Sequence, residues 1–492
     1  MKMTYDVKSK PPVGRLVLFS LQQLLAILAA TIAVPMIVGN GMQPAAALFG
    51  AGVGTIVYLL FTKFKSPVFL GSSFAFLGSM SAAFAGAATM TLGYLGLLLG
   101  AIFAGLVYVI IAVVVKYAGT KWIDKLMPAV VIGPTVAIIG LSLSGNAIKD
   151  LVSSGFYGYA QYNNGYIMDT NAWLCLICGL VTLGVTIACS VYGKNMMKMI
   201  PFIIGILAGY AVAAIFTGFS YIDGAEAMRI INFETFKSLS QGSAWYPDFT
   251  FLRAFNIVDG QGYGSEVGAY IGTIAVAYIP VAFVVFAEHL ADHKNISSII
   301  EHDLLEDPGL HRTLLGDGVG SIAGTFFGGC PNTTYGESVG CVAISGNASV
   351  ITILVTACMA ILSAFLAPFT LFLASIPNCV MGGVCIALYG FIAVSGLKMI
   401  QKVDLGENRN LFTVCVILIA GVGGMILNIG NKVFLTEVAC ALILGIVTNL
   451  LVNLRKDENT AQTENETAVE NNNAAAEELA EQEAAATDES QQ

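Results

Sequence analysis

A polar stretch that contains two glycines interrupts a strongly apolar region of this chain: CPNTTYGESVG at residues 330–340. A second polar stretch, LGSSFAF at residues 70–76, interrupts an apolar region near the start. Such breaks free backbone N–H and C=O groups that lipid cannot satisfy, so in membrane proteins they occur where protein or a water-filled cavity surrounds them. One broken span in each half of a chain is the sequence feature that best indicates the substrate site of a secondary transporter.

The composition is that of a polytopic membrane protein. Of 492 residues, 56% are hydrophobic and 11% are charged, whereas soluble domains have about 25% charged residues. The formal net charge is −9, but residues 457–492 hold 11 of the 32 acidic residues and no basic ones. The rest of the chain has a net charge of about +2, from 23 basic and 21 acidic residues. The composition of residues 457–492 predicts a disordered acidic tail.

Apolar runs of about 20 residues, the length that crosses a hydrocarbon core of about 30 Å, indicate membrane spans. We predict fourteen, the third and tenth being the broken ones, at residues 14–38, 44–62, 67–84, 92–116, 127–147, 172–191, 197–219, 266–288, 312–329, 333–346, 349–373, 379–397, 411–430 and 434–453. With the N-terminus in the cytoplasm, 18 of the 23 Lys and Arg residues fall on the cytoplasmic side, as the positive-inside rule requires. The sequence therefore predicts a multi-pass protein of the plasma membrane with both termini in the cytoplasm.

The first seven predicted spans match the last seven in hydropathy and in the position of the break. Because an odd number of spans inverts the second half relative to the first, this pattern predicts an inverted repeat. The predicted parts are a first repeat at residues 1–219, an outer loop at 220–265, a second repeat at 266–456 and the cytoplasmic tail at 457–492.

The few acidic residues within the predicted spans are the candidate functional groups. Glu288 ends the eighth predicted span, and Glu337 lies in the broken tenth. A charged side chain at the bilayer centre costs at least about 2.5 kcal/mol to insert, so such residues usually have a function. We expect Glu288 and Glu337 to bind substrate. Asp317 and Glu437 lie near predicted span ends, where a structural carboxylate is at least as good an explanation.

The groups expected at the two breaks suit a planar, neutral solute. Carboxylates only accept hydrogen bonds, so they would bind ring N–H groups. Backbone N–H groups at Phe74 and Gly336 would donate to ring carbonyls, and Tyr335 or Phe76 would pack on the ring. The lack of basic residues inside the predicted spans argues against an anionic solute. Two carboxylates in one low-dielectric site do not both ionise readily, which favours proton coupling, although such a site would also hold sodium.

A polar segment that contains His289, His293, His302 and His311 follows Glu288. The spacing of these histidines and of the acidic residues among them matches no common zinc site. We expect an amphipathic helix and a turn here, and we predict no metal and no cofactor.

Several motifs together give the chain a resemblance to the nucleobase–ascorbate transporter (nucleobase:cation symporter-2) family, and within it to the bacterial uracil permeases. The motifs are SLQQL at 20–24, FLGSSFAF at 69–76, AEH at 287–289, DPGLHRTLLGDG at 307–318, PNTTYGES at 331–338 and VMGGV at 380–384. The resemblance implies an all-α membrane protein of fourteen spans in two inverted repeats. Spans 1–4 and 8–11 would form a core domain and spans 5–7 and 12–14 a gate domain, and spans 3 and 10 would each begin with a short strand. Dimers are usual in that family.

The resemblance also implies a function, namely uracil uptake coupled to protons by alternating access. Glu288 and Glu337 match the substrate carboxylates of the family, and they would also take part in proton coupling. Phe74, Tyr335 and Gly336 match its pocket-lining positions. The expected partners are therefore a nucleobase, protons and the lipid bilayer, with no nucleic acid.

Four positions depart from the family pattern. Asp292, one turn after Glu288, and Gln23 stand where some uracil permeases have His, and Ser338 stands where Asn is usual. Ser345, directly before Gly346, stands where the family usually has a basic residue. A carboxylate at position 292 would change the proton route, so we include Asp292 among the proton-coupling candidates. The departures leave xanthine or another purine as an alternative substrate. An anion exchanger of the same fold is a weaker alternative, and no residue set for enzymatic catalysis is evident within the spans.

Overall fold

Helices account for most of the chain in the computed structural model, which describes residues 3–155, 161–162, 165–194, 196–240, 245–257, 262–263, 267–429 and 433–454. The acidic tail predicted at 457–492 lies outside these residues, as do parts of the predicted outer loop.

The elements of the first half follow one another in this order: α1 (Val13–Val38), α2 (Pro44–Phe61), β1 (Leu70–Ser72), a 3-10 turn (Phe74–Phe76), α3 (Leu77–Ala85), α4 (Met90–Ala118), α5 (Lys121–Leu126), α6 (Ala129–Ser142), α7 (Ser144–Leu151), β2 (Gln161–Tyr162), β3 (Gly165–Tyr166), α8 (Thr170–Tyr192), α9 (Met196–Met199) and α10 (Pro201–Asp223). Capping residues fix several of the starts. The hydroxyl of Thr89 accepts from the N–H of Leu92 at the start of α4, and the carboxylate of Asp169 accepts from the N–H of Ala172 at the start of α8.

The second half begins with short helices and continues with long ones: 3-10 helices (Glu226–Met228 and Phe233–Ser240), α11 (Thr250–Ala254), α12 (Val267–Ile300), a helical turn (Leu305–Gly309), α13 (Leu310–Gly328), β4 (Asn332–Thr334), α14 (Gly336–Ser345), α15 (Val350–Ser363), α16 (Ala367–Ala374), α17 (Asn378–Ile400), α18 (Asn408–Val422), β5 (Leu427–Ile429), β6 (Val433–Leu435) and α19 (Glu437–Leu454).

Nine helices within the described residues are long and apolar enough to cross a membrane, counting α6 with α7 as one. The pair α15 and α16, bent by 83°, would make ten. The 3-10 turn with α3, and also α18, form shorter apolar helices. The chain is therefore a multi-pass membrane protein of mostly helical structure, and the count of fourteen spans stays a prediction.

Three predicted spans differ from the helices of the structure. The helix expected to end at Glu288 continues to Ile300, and two of the polar residues that follow Glu288, His289 and His293, are buried within the protein instead of facing water. The span predicted at 349–373 is two helices, and a proline at the start of α16 ends the preceding helix. The helix predicted at 411–430 stops at Val422, before two glycines, and β5 follows it.

The two polar breaks form a two-stranded antiparallel sheet. In the register of β1 with β4, Leu70 pairs with Thr334 and Ser72 pairs with Asn332. The pairing continues beyond the strands, since Tyr335 N–H donates to the Phe69 carbonyl (3.2 Å). All six strand residues are buried. The breaks therefore satisfy each other's backbone groups, and each is followed directly by a short helix.

The sheet lies where α2 and α13 cross in close contact. A Cβ atom at Gly50 of α2 would overlap the carbonyl oxygen of Gly324 in α13. The amide of Asn332 in β4 donates to the Gly50 carbonyl (3.1 Å), which ties the sheet to this crossing. Small residues are thus required where the two backbones meet.

We predict that Gly50→Ala destabilises the protein by about 1–3 kcal/mol, the usual penalty for overpacking a core. The midpoint of thermal unfolding in detergent should fall by several degrees. The matched control is Gly272→Ala in α12, where a Cβ atom would meet no atom within 4 Å; this variant should unfold at the wild-type temperature or above it. Equal midpoints for the two variants would contradict the close crossing.

Candidate functional site

The first turn of α14 faces an accessible space. Gly336 is exposed and Glu337 is half-buried, although Tyr335 and Ser338 on either side are buried. Because α14 starts directly after β4, its first N–H groups have no partners within the helix. The structure therefore presents a carboxylate and the positive end of a helix dipole to the same space.

Helix α12 contributes two further carboxylates to this region. Glu288 and Asp292 lie one turn apart and are both half-buried. The hydroxyl of Thr334 donates to Asp292 (2.8 Å), and a Cβ atom at Gly336 would lie 3.8 Å from the other oxygen of Asp292. Glu288 is close enough to Asp292 and Glu337 for their charges to repel its own. The structure thus brings together Glu288, Asp292 and Glu337, the acidic residues expected to bind substrate or carry protons.

The predicted aromatic residues line the region in different ways. The Tyr335 hydroxyl donates to the Ser72 carbonyl (2.8 Å), and the Tyr335 ring covers Gly71, where a Cβ atom would overlap it. Phe74 packs edge-on against Tyr389 of α17, with ring centroids 5.5 Å apart. Tyr389 was not predicted from the sequence, because nothing in the local pattern of α17 distinguishes it from a packing residue.

Phe76 was also expected to pack on the ring of the solute. It is buried and stacks on Tyr278 of α12, with ring centroids 5.5 Å apart. Its ring is therefore already packed against protein. Whether Glu288, Glu337, Phe74, Tyr335 and Gly336 bind a solute stays a prediction.

Ser338 anchors the first turn of α14 to the first half of the chain. Its buried hydroxyl accepts from the side-chain amide of Gln23 in α1 (2.6 Å) and from the N–H of Phe69 (3.1 Å). Gln23 and Ser338 are two of the positions at which the sequence departs from the expected family pattern. Their contact shows that the two departures form one matched pair, a relation that sequence spacing could not reveal.

A second polar cluster lies behind the three carboxylates. Asp317 is 1% exposed and lies inside α13. Its carboxylate contacts His289 Nδ1 (2.6 Å), and His289 Nε2 contacts the hydroxyl of Thr313 (3.0 Å). A buried charge needs a partner of this kind.

His293, one turn after His289, is also fully buried. Its Nδ1 contacts the His289 carbonyl (2.8 Å), and its Nε2 contacts the hydroxyl of Tyr58 in α2 (2.7 Å). These two histidines therefore serve to connect α12 with α13 and α2. Among the described residues, the structure has no group of three or more His, Cys, Asp or Glu side chains that could hold a metal ion.

Comparison with known proteins gives two kinds of similarity. The family model Xan_ur_permease, described as a permease family, matches residues 14–430. A uracil permease of Bacillus caldolyticus is 36% identical over 458 residues, which cover 92% of this chain and 95% of the relative. A uracil permease of Escherichia coli (strain K12) is 35% identical over 451 residues, covering 91% and 94%.

The similar solved structures share the fold at low sequence identity. The transmembrane domain of the cyanobacterial bicarbonate transporter BicA aligns with a TM-score of 0.56 at 14% identity, covering 88% of this chain and 96% of that domain. The murine anion transporter Slc26a9 in its inward-facing state aligns with a TM-score of 0.59 at 13% identity, covering 91% and 69%.

We predict that Ser338→Ala destabilises the protein by about 1–3 kcal/mol, because it leaves the Gln23 amide and the Phe69 N–H buried without their acceptor. Thermal unfolding in detergent measures this loss. The control is Ser345→Ala at the other end of α14, where the hydroxyl bonds only to Val342 and Asn347 nearby. If both variants unfold at the wild-type temperature, Ser338 is not the anchor that its contacts indicate.

Proposed function

The chain belongs to the Xan_ur_permease family, the nucleobase–ascorbate transporters, and we propose that it imports the nucleobase uracil by proton symport. It is a transporter and not an enzyme. The observation that carries the proposal is the group of carboxylates that α12 and α14 present to one space, beside the start of a short helix.

Uracil has the complementary groups for this arrangement. Its ring carries N–H donors next to carbonyl acceptors, so Glu288 and Glu337 would accept from the ring while first-turn N–H groups of α14 would donate to a carbonyl. Phe74 or Tyr335 would pack on a face of the flat ring. The curated relatives with about 35% identity are named uracil permeases, which supports the same substrate.

The proposed proton coupling rests on the closeness of three carboxylates, those of Glu288, Asp292 and Glu337. Three carboxylates of like charge in one region disfavour full ionisation, so proton uptake by Glu288, Asp292 or Glu337 would accompany substrate binding. Each proton that enters through the membrane potential contributes about 2.3 kcal/mol per 100 mV to uptake. Asp292 would take part through its hydrogen bond to Thr334 next to the site.

Alternating access would move the site between the two sides of the membrane. The proposed arrangement has a core domain of spans 1–4 and 8–11 that moves against a gate domain of spans 5–7 and 12–14, with both termini in the cytoplasm. Proteins with this fold include transporters, and Slc26a9 was solved in an inward-facing state. The contact between Phe74 and Tyr389 would then lie between the two domains.

Xanthine is the second candidate substrate, because a purine offers the same N–H and carbonyl groups and the Gln23–Ser338 pair departs from the uracil-permease pattern. Uptake of labelled uracil and labelled xanthine into vesicles that contain the purified protein separates the two. An anion as substrate is disfavoured, since three carboxylates would repel it.

We predict that Glu337→Ala abolishes uracil binding and uptake, because the variant removes the acceptor next to the α14 N-terminus. Equilibrium binding to the purified protein measures the first effect, and uracil uptake into vesicles with an inward proton gradient measures the second. Glu437→Ala, which removes a half-buried carboxylate at the start of α19, is the control and should retain uptake. Full uracil accumulation by Glu337→Ala would refute the proposed role.

We predict that Glu288→Gln weakens gradient-driven accumulation more than equilibrium binding. Glutamine retains an acceptor oxygen for the ring but cannot take up a proton. The measurement compares the uracil Kd with the accumulation ratio at several external pH values, with and without a protonophore. Wild-type accumulation by Glu288→Gln, with its normal pH dependence, would show that this residue does not carry the proton.

A further inference from the structure

Residues 3–9, which we name the clasp, run alongside the connection between α14 and α15. The N–H groups of Thr4 (2.8 Å) and Tyr5 (3.2 Å) both donate to the Gly346 carbonyl. In return, the Ala348 N–H donates to the Tyr5 carbonyl (2.8 Å) and the Val350 N–H to the Val7 carbonyl (3.1 Å). The clasp is thus bound through its backbone, as a strand is.

The exposure of the clasp alternates as expected for a docked strand. Met3, Tyr5, Val7 and Ser9 are half-buried, whereas the residues between them are exposed. The Ser349 hydroxyl also donates to the Ser9 carbonyl (2.6 Å). Contacts therefore extend along the whole clasp.

The residue that the clasp holds is the end of the helix that carries Glu337. Gly346 follows α14 directly and adopts a left-handed conformation (φ 63°) that favours glycine. Helix α14 has only ten residues, too few for a helix to be stable by itself in isolation. Its start is held by β4 and by the Ser338–Gln23 contact. Its far end is held by the clasp.

The clasp is in turn attached to α1. The Tyr5 hydroxyl accepts from Arg15 (3.0 Å), and the Tyr5 ring packs edge-on against Phe19, with centroids 6.0 Å apart. The same helix α1 supplies Gln23, which binds Ser338 at the other end of α14. The segment from the clasp through α1 therefore contacts both ends of α14.

On its other side the clasp borders a cavity of about 510 Å³. The opposite wall includes His302 and the ion pair between Lys65 and Asp307 (2.5 Å). The clasp therefore packs against the α14–α15 connection and also lines part of an open cavity. Its hydrogen bonds to residues 346–350 and the contacts of Tyr5 with α1 keep it in place.

We propose that the clasp is a positioning element for the substrate site: by fixing the far end of α14, it sets the orientation of the first turn that presents Glu337. A helix of ten residues, about 15 Å long, moves as a rigid unit, so a tilt at Gly346 displaces Glu337. This inference rests on the proposed role of Glu337 in binding a nucleobase. Loss of the clasp should weaken substrate affinity even where the protein remains folded.

The test uses a proline at position 4, because the contact is made by a backbone N–H that only proline lacks. We expect Thr4→Pro to raise the uracil Kd about fivefold, the effect of losing one hydrogen bond of ordinary strength. Thr4→Ala, which keeps the N–H, is the matched control and should bind uracil as the wild type does. Purified full-length proteins are compared by equilibrium binding and by thermal unfolding.

A second variant, Ser349→Ala, removes the hydroxyl contact to Ser9 without a change in the backbone. We expect its uracil Kd to rise in the same direction, by about twofold to threefold. If Thr4→Pro unfolds at a lower temperature than the wild type but has the same uracil Kd, the clasp stabilises the fold without positioning the site, and the proposal is overturned. Equal Kd values in Thr4→Pro and Thr4→Ala would do the same.

The wild type separates this proposal from the proposed function. If the wild type binds neither uracil nor xanthine, the proposed function fails before the clasp is tested. If the wild type binds one of them and the proline variant does so equally well, the function stands and the clasp proposal fails.

Discussion

The pairing of β1 with β4 is the constraint on which the rest of the structure depends. Backbone groups in the interior of a membrane protein need partners, and here two distant polar stretches supply them to each other through the pairs from Leu70–Thr334 to Ser72–Asn332. Each strand is followed by a short helical segment, the 3-10 turn after β1 and α14 after β4. The glycine contact of α2 with α13 and the Asn332–Gly50 hydrogen bond hold this sheet in place.

Polar side chains around the sheet form two groups that differ in their burial and in their hydrogen-bond partners. Glu288, Asp292 and Glu337 remain half-buried, which agrees with the roles proposed for them in binding a nucleobase and taking up protons. Asp317 and His289 are fully buried and bonded to each other, so they connect α12 with α13. Adjacent strand residues link the two groups: Thr334 bonds to Asp292, and Thr333 lies 3.5 Å from Asp317. A shift of the strand would therefore disturb both.

Sequence reasoning singled out the two breaks, Glu288 and Glu337, because polar groups inside an apolar run are costly in lipid and thus stand out. Asp292 was added only through the resemblance to the family. It placed the end of the eighth span at Glu288, since hydropathy treats a buried histidine such as His289 as if it faced water. It could not find the partners of Asp317, Gln23 or Tyr5. Those contacts join residues far apart in the chain, and no local periodicity encodes them. The alternation of Met3, Tyr5 and Val7 was the one available sign of the clasp.

The central claim is that one flat heterocycle binds between the two short helices, with carboxylates from α12 and α14 on its edge. A cryo-EM structure of the protein in lipid nanodiscs with saturating uracil tests it most directly. We expect ring density beside the first turn of α14, with oxygens of Glu288 and Glu337 within about 3 Å of ring nitrogens. Ring density elsewhere, or a Glu337 side chain that points away from the ring, would contradict the claim.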